Sequence, residues 1–271
     1  MTEFDVVIPA HEKDIPILNH CIAAARRKIV GVRRIIVISK ERYTDKAEWF
    51  DESLFPFSFS SVGGGWYFQQ LLKFYAVFVI PNISENILIL DSDTVFFRRV
   101  RMFDHQGRAL YNISKDKDIE HKEFNQKVAQ HIRKLLPEIA VENLPAEFQK
   151  VSGISHHMIF NREILRDLFL RVEKHDGSGD EFYKIFLKLG EKTYSVAEYQ
   201  TYFNFILVFH RDKIAIRKLN YKNTADRSVF KYRLRLKYHY CSFHSYLRSE
   251  EKNSPFGRIR KFLSKNLSVK N

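Results

Sequence analysis

Asn86-Ile87-Leu88-Ile89-Leu90-Asp91-Ser92-Asp93-Thr94-Val95-Phe96 is the stretch on which the reading of this chain turns. Its unbroken apolar run reads as a strand buried on both faces, as in a parallel sheet. Two carboxylates follow, one residue apart. Unpaired buried charge is very costly, so the strand must end in a cleft where a cation neutralises Asp91 and Asp93. Hard ions such as Mg²⁺ or Mn²⁺ take oxygen ligands and share them with substrate phosphates. A solvated turn is the plain alternative, because Asp-Ser-Asp is also good turn chemistry.

Toward the N-terminus, Phe4-Asp5-Val6-Val7-Ile8 is a first buried strand that stops at Pro9-Ala10-His11. Asp14 is placed to cap a helix running to about Lys28, with Ile15, Leu18, Ile22 and Ala25 on one face. Arg34 to Ser39 is a second buried strand. This strand–helix–strand spacing predicts an α/β fold with a mainly parallel sheet flanked by helices. Thr44 to Phe50 reads as a short helix, Ser60 to Gly65 as a loop, and Trp66 to Val79 as a helix stopped by Pro81. Toward the C-terminus, Glu123–Leu136, Arg162–Lys174, Glu181–Leu189 and Tyr199–Phe209 read as helices, and Ser155–Phe160 as a strand. Ligands of open α/β sheets bind at the carboxyl ends of the strands, where Asp91-Ser92-Asp93 falls.

The 271 residues are 45% hydrophobic, enough for one large domain. Cys21 and Cys241, the only cysteines, lie far apart and imply neither a disulfide framework nor a zinc site. No signal peptide or membrane-length apolar run is visible, so a cytoplasmic protein is expected. The net charge of +13 is uneven: residues 221–271 hold 13 Lys and Arg against 3 acids, a net of +10, leaving +3 for the first 220. In the tail Phe256, Ile259, Phe262, Leu263 and Leu267 recur at helical spacing between Arg258, Arg260, Lys261 and Lys265. That composition suits an interfacial helix on an anionic membrane, or a helix packed on the domain with its charges in water. The expected division is a catalytic domain over 1–245 and a basic amphipathic tail over 246–271. Nucleic-acid binding is not expected, since no recognition motif gathers the charge.

An apolar strand, Asp-x-Asp and an aromatic-rich segment resemble the metal motif of GT-A glycosyltransferases, a Rossmann-like fold. Gly65-Trp66-Tyr67-Phe68-Gln69-Gln70-Leu71-Leu72-Lys73 upstream and Val151-Ser152-Gly153-Ile154-Ser155-His156-His157-Met158 downstream resemble a bacterial and viral set of glycosyltransferase-like proteins. The resemblance implies a nucleotide-sugar donor, UDP- or GDP-linked, a glycan or lipid-linked acceptor, and Mn²⁺ or Mg²⁺. It assigns the nucleotide to Pro9, Ala10, His11 and Glu12 after the first strand, with Ser39 and Lys40 after the second. Ser92 joins that donor set. It also implies a late histidine as third metal ligand beside Asp91 and Asp93, for which His244 is preferred to His239. An imidazole there suits Mn²⁺ better than Mg²⁺.

Other polar residues have two readings each. Gln69 and Lys73 share a helix face, with Gln70 beside them, and suit sugar hydroxyls and phosphate; they equally suit the polar side of an ordinary helix. His156 and His157 precede a strand, so alternation turns only one of them to an acceptor. Glu198 is a candidate base for the acceptor hydroxyl or a solvated helix-start residue. The rival enzyme is a haloacid-dehalogenase-type phosphatase, whose nucleophile motif Asp91-Ser92-Asp93-Thr94-Val95 satisfies. That motif normally sits on the first strand, and here a strand–helix–strand unit precedes it.

Overall fold

The structure, a computed structural model, describes residues 2–115, 122–190, 194–224 and 232–244. The tail expected over 246–271 lies outside the described residues. The chain forms an α/β fold of mixed sheets flanked by helices.

The main sheet holds five strands. β1 (Phe4–Pro9) leads through α1 (Ile15–Lys28) to β2 (Val32–Ser39) and then to the edge strand β3 (Glu48–Asp51). The chain then returns through α2 (Gly65–Val79) to β4 (Asn86–Leu90) on the other side of β1. These four strands are parallel. Crossovers that run in opposite directions from β1 and keep the usual right hand set α1 and α2 on opposite faces, in keeping with the burial of β1 throughout. β5 (Thr94–Phe96) leaves this sheet, and β6 (His157–Asn161) closes its far edge antiparallel to β4, with His157 beside Leu90.

Four further helices, α3 (Lys122–Leu135), α4 (Arg162–Asp176), α5 (Phe182–Leu189) and α6 (Glu198–Phe209), pack on one another and on α2. Phenylalanine is the mortar: Phe74 of α2 meets Phe160, Phe169, Phe182 and Phe186 at ring separations of 5.3–6.2 Å. A second sheet sets β7 (Tyr221–Asn223) parallel to β8 (Tyr240–Ser242), and β8 antiparallel to β5 with Ser242 opposite Thr94.

Two local expectations fail. Thr44–Phe50 is not a helix: its second half is β3, whose Trp49 and Phe50 pair beside Val37 and Ile38 of β2. Aromatic residues at a sheet edge gain more from that pairing than from one isolated helical turn. On α1 the buried stripe runs through Ile17, Leu18, Cys21, Ile22 and Ala25, while Ile15 is exposed.

Candidate active site

The chain crosses from one side of β1 to the other between β3 and β4, so the switch point of the sheet lies between β1 and β4. At its carboxyl end sit Pro9 to Glu12 from β1 and Asp91-Ser92-Asp93 from β4, with Ser39 and Lys40 alongside. The opposite end holds a cavity of about 300 Å³ lined by Asn86, Tyr111, Asn161, Ile206 and His210, remote from the aspartates.

Three side chains hold Asp91. Its Oδ1 accepts from the Lys73 amine at 2.6 Å and from the Tyr199 hydroxyl at 3.0 Å, and its Oδ2 lies 3.3 Å from His156 Nδ1. The Lys73 amine also reaches Glu198 Oε1 at 2.6 Å and lies over the Tyr199 ring. Burial pushes the Asp91 carboxyl up, but Lys73 and the His156 hydrogen bond outweigh it and hold the group well below the usual carboxylate range. For the lysine the order is the same: burial opposes its charge, and Asp91 with Glu198 more than restore it. Glu198 ends on the other side, since its burial outweighs the one lysine that it shares, and its carboxyl is pushed up.

Asp93 faces the second sheet. Ser242 donates to its Oδ1 at 2.7 Å, and His244 Nδ1 lies 3.3 Å from its Oδ2. Pairing of β8 with β5 makes this contact: with Ser242 opposite Thr94, the Phe243 amide donates to the Asp93 carbonyl and the next residue arrives at the carboxylate. Burial raises the Asp93 carboxyl, and His244 brings it below its ordinary value. The rings of His244 and His156 stand 4.8 Å apart, so two Asp–His pairs lie side by side. No three His, Cys, Asp or Glu side chains among the described residues already stand in a metal-holding arrangement.

A further acid completes the cluster. Ser92 donates to Asp14 Oδ2 at 2.9 Å, and burial together with the charge of Asp93 pushes the Asp14 carboxyl up. Four carboxylates thus gather here: Asp91 and Glu198 share Lys73, Asp93 is held by Ser242 and His244, and Asp14 by Ser92. The sealed side is Lys73 and Glu198, whose side chains are 4% and 3% exposed, and the open side is Asp91 at 19%, His244 at 15% and Asp93 at 14%.

The expected site residues therefore divide. Asp91, Asp93, His156 and His244 come together, while His239 stays away, its Nδ1 accepting from the Asn220 amide. His157 does not face the cleft: it is enclosed between Phe96 and Tyr240, and burial lowers its imidazole to about 3. Lys73 and Gln70 do not present themselves to a donor either. Gln70 is buried and its carbonyl oxygen accepts from the Glu198 amide, so it caps the start of α6, and Lys73 is committed to its two carboxylates. Glu198 sits beneath that lysine rather than on an acceptor's path. His11 and Glu12 are exposed, and the His11 ring accepts from the Lys13 amide. Tyr199, Ser242 and Asp14 were not expected at the site. Only Tyr199 had a local signal, as a hydroxyl in a helix that is apolar all round.

A family model described as a family of unknown function (DUF6492) matches residues 1–233, most of the chain, and the chain belongs to that family. Among curated proteins none matches it.

Proposed function

We propose that this member of the DUF6492 family is a metal-dependent glycosyltransferase of the GT-A type, taking a sugar from a nucleotide-sugar donor to a glycan or lipid-linked acceptor. The observation that carries the reading is the gathering of four carboxylates at the switch point, two of them, Asp14 and Glu198, pushed up chiefly by burial. Such a cleft repels a diphosphate unless a cation mediates, and its open side offers carboxylate oxygens and an imidazole, the donor types that Mn²⁺ accepts.

Asp91, Asp93 and His244 are the residues that would hold the ion. When bound, it supplies the positive charge that stabilises a departing nucleoside diphosphate. The chain's own part is orientation: Lys73 and Tyr199 fix Asp91, Ser242 fixes Asp93, and the loop Pro9–Glu12 with Lys40 lines the adjoining strand ends for the nucleotide. His156, 3.3 Å from Asp91 and beside His244, is the candidate contact for an acceptor.

A phosphatase using Asp91 as nucleophile is less well supported, because that motif normally sits on the first strand and here it follows β4, after a strand–helix–strand unit.

The test is a thermal-shift screen of UDP, GDP and their sugar conjugates, with and without Mn²⁺. Stabilisation by a nucleoside diphosphate only with Mn²⁺, lost in Asp91→Asn/Asp93→Asn, is the expected result, since ligands stabilise by mass action. No shift with any nucleotide, or an equal shift in the double variant, overturns the reading.

A further inference from the structure

The first helix bears on the catalytic turn along one face. Asp14, Ile17 and Cys21 lie on the same side of α1, at the i, i+3, i+7 spacing of a helical stripe. Each meets a different part of the segment that follows β4. The Cys21 thiol donates to the Asp91 carbonyl at 3.6 Å, and Ile17 packs in a small apolar cluster with Val95, Cys241 and Phe243. Asp14 takes the Ser92 hydroxyl at 2.9 Å, a bond between residues 78 apart that joins the ends of β1 and β4 across the switch point.

Asp14 occupies the position of a helix cap without acting as one. Its side chain makes no capping hydrogen bond to α1, although the position before Ile15-Pro16 invites it. The short turn Glu12–Asp14, closed by the His11 ring, carries the carboxylate inward, and the residue is buried. A buried carboxylate diverted from a ready capping role onto one hydroxyl is expensive, and among the described residues the group it holds is the middle residue of Asp91-Ser92-Asp93.

We propose that Asp14 is a positioning residue that, through Ser92, fixes the centre of the Asp-Ser-Asp turn so that Asp91 and Asp93 splay toward their separate partners. This rests on the proposed role of the two aspartates in holding a divalent ion. Fixing Ser92 leaves the flanking carboxylates a single relative orientation, Asp91 toward Lys73 and Tyr199 and Asp93 toward Ser242 and His244. Outer partners of metal ligands act in this way, and their loss lowers metal affinity about 10–100-fold.

The experiment is Mn²⁺ binding to the full chain, followed by electron paramagnetic resonance, for wild type, Asp14→Ala, Asp14→Asn, Ser92→Ala and Asp14→Ala/Ser92→Ala. Circular dichroism reports whether each is folded. Asp14→Ala and Ser92→Ala should each weaken Mn²⁺ binding about tenfold. The double variant should be no worse than either, because both remove one bond. Asp14→Asn keeps an acceptor oxygen for Ser92 and should restore most of the affinity. If Asp14→Ala fails to fold, Ser92→Ala and Asp14→Asn carry the comparison. Affinities within twofold of wild type, or additive losses, overturn the positioning role while leaving the metal reading intact. Wild type that binds no Mn²⁺ overturns both.

Discussion

Replacing Lys73 by methionine keeps the volume of the side chain and removes the charge that Asp91 and Glu198 share. Each of its two contacts is 2.6 Å long, which at an effective dielectric near 20 corresponds to about 6 kcal/mol of attraction. Desolvation of three ions offsets most of that, so the pair adds little net stability while it is intact. The asymmetry appears when one partner goes. Asp91 and Glu198 are then left buried, close and unneutralised, at a cost of about 3–5 kcal/mol, a large share of a domain's usual 5–15 kcal/mol. Urea unfolding of the full chain measures it. Lys73→Met/Glu198→Gln should recover about half of the loss, because Asp91 keeps Tyr199 and His156.

The deficit also depends on pH, in a direction that can be worked out. Burial already raises Glu198, and without Lys73 only a backbone hydrogen bond remains to lower it. A carboxyl raised in the folded state stabilises below its unfolded value, about 4.3, and loses that contribution as pH rises through the folded value. Lys73→Met should therefore be less destabilised at about pH 5 than at about pH 8. A loss below about 1 kcal/mol at every pH, or a double variant no more stable than the single, would refute the account of Lys73 as the counterion that Asp91 and Glu198 share.

Three further outcomes follow from other parts of the fold. Burial lowers His131 to about 4 and His157 to about 3, so their stability contribution is complete above the unfolded value near 6.5 and falls as pH drops toward those values. Each accounts for up to about 1.4 kcal/mol per pH unit, and His157→Asn should flatten the pH dependence of urea unfolding between about 6.5 and 5; an unchanged slope argues for a hydrated ring. His244→Ala should raise the Mn²⁺ concentration needed for a nucleotide thermal shift about tenfold and His239→Ala should not; equal effects would remove His244 from the site. Gly190→Ala drives a Cβ into the hydroxyl and ring of Tyr67, itself held by Ser195 at 3.0 Å, and should cost about 1–3 kcal/mol in thermal unfolding, whereas an unchanged melting temperature means that α2 yields there.

The strands and helices of this chain are legible because local pattern reports element type. Asn86–Leu90 is recognisable from its own five residues, and Pro81 ends α2 wherever that helix is placed. Pattern does not report partners. Lys73 lies 18 residues from Asp91 and 125 from Glu198, and nothing in either neighbourhood points to the other. Even so, a clue to Lys73 was present. α2 is buried on most of its circumference, including Leu71, Leu72, Phe74, Ala76 and Val77, so Gln70 and Lys73 had no polar face to occupy. A polar side chain in a helix that is apolar all round has to find its partner inside the protein. The same rule applies to Glu198 and Tyr199 at the start of α6, where every residue from Glu198 to Leu207 except Gln200 is buried and leaves them nowhere else to go. Two such helices, each contributing misplaced polar groups, must meet where those groups neutralise one another, and an apolar strand ending in two aspartates supplies the third party. Taken together, the three anomalies specify a single cluster, whereas each alone reads as an ordinary helix or turn.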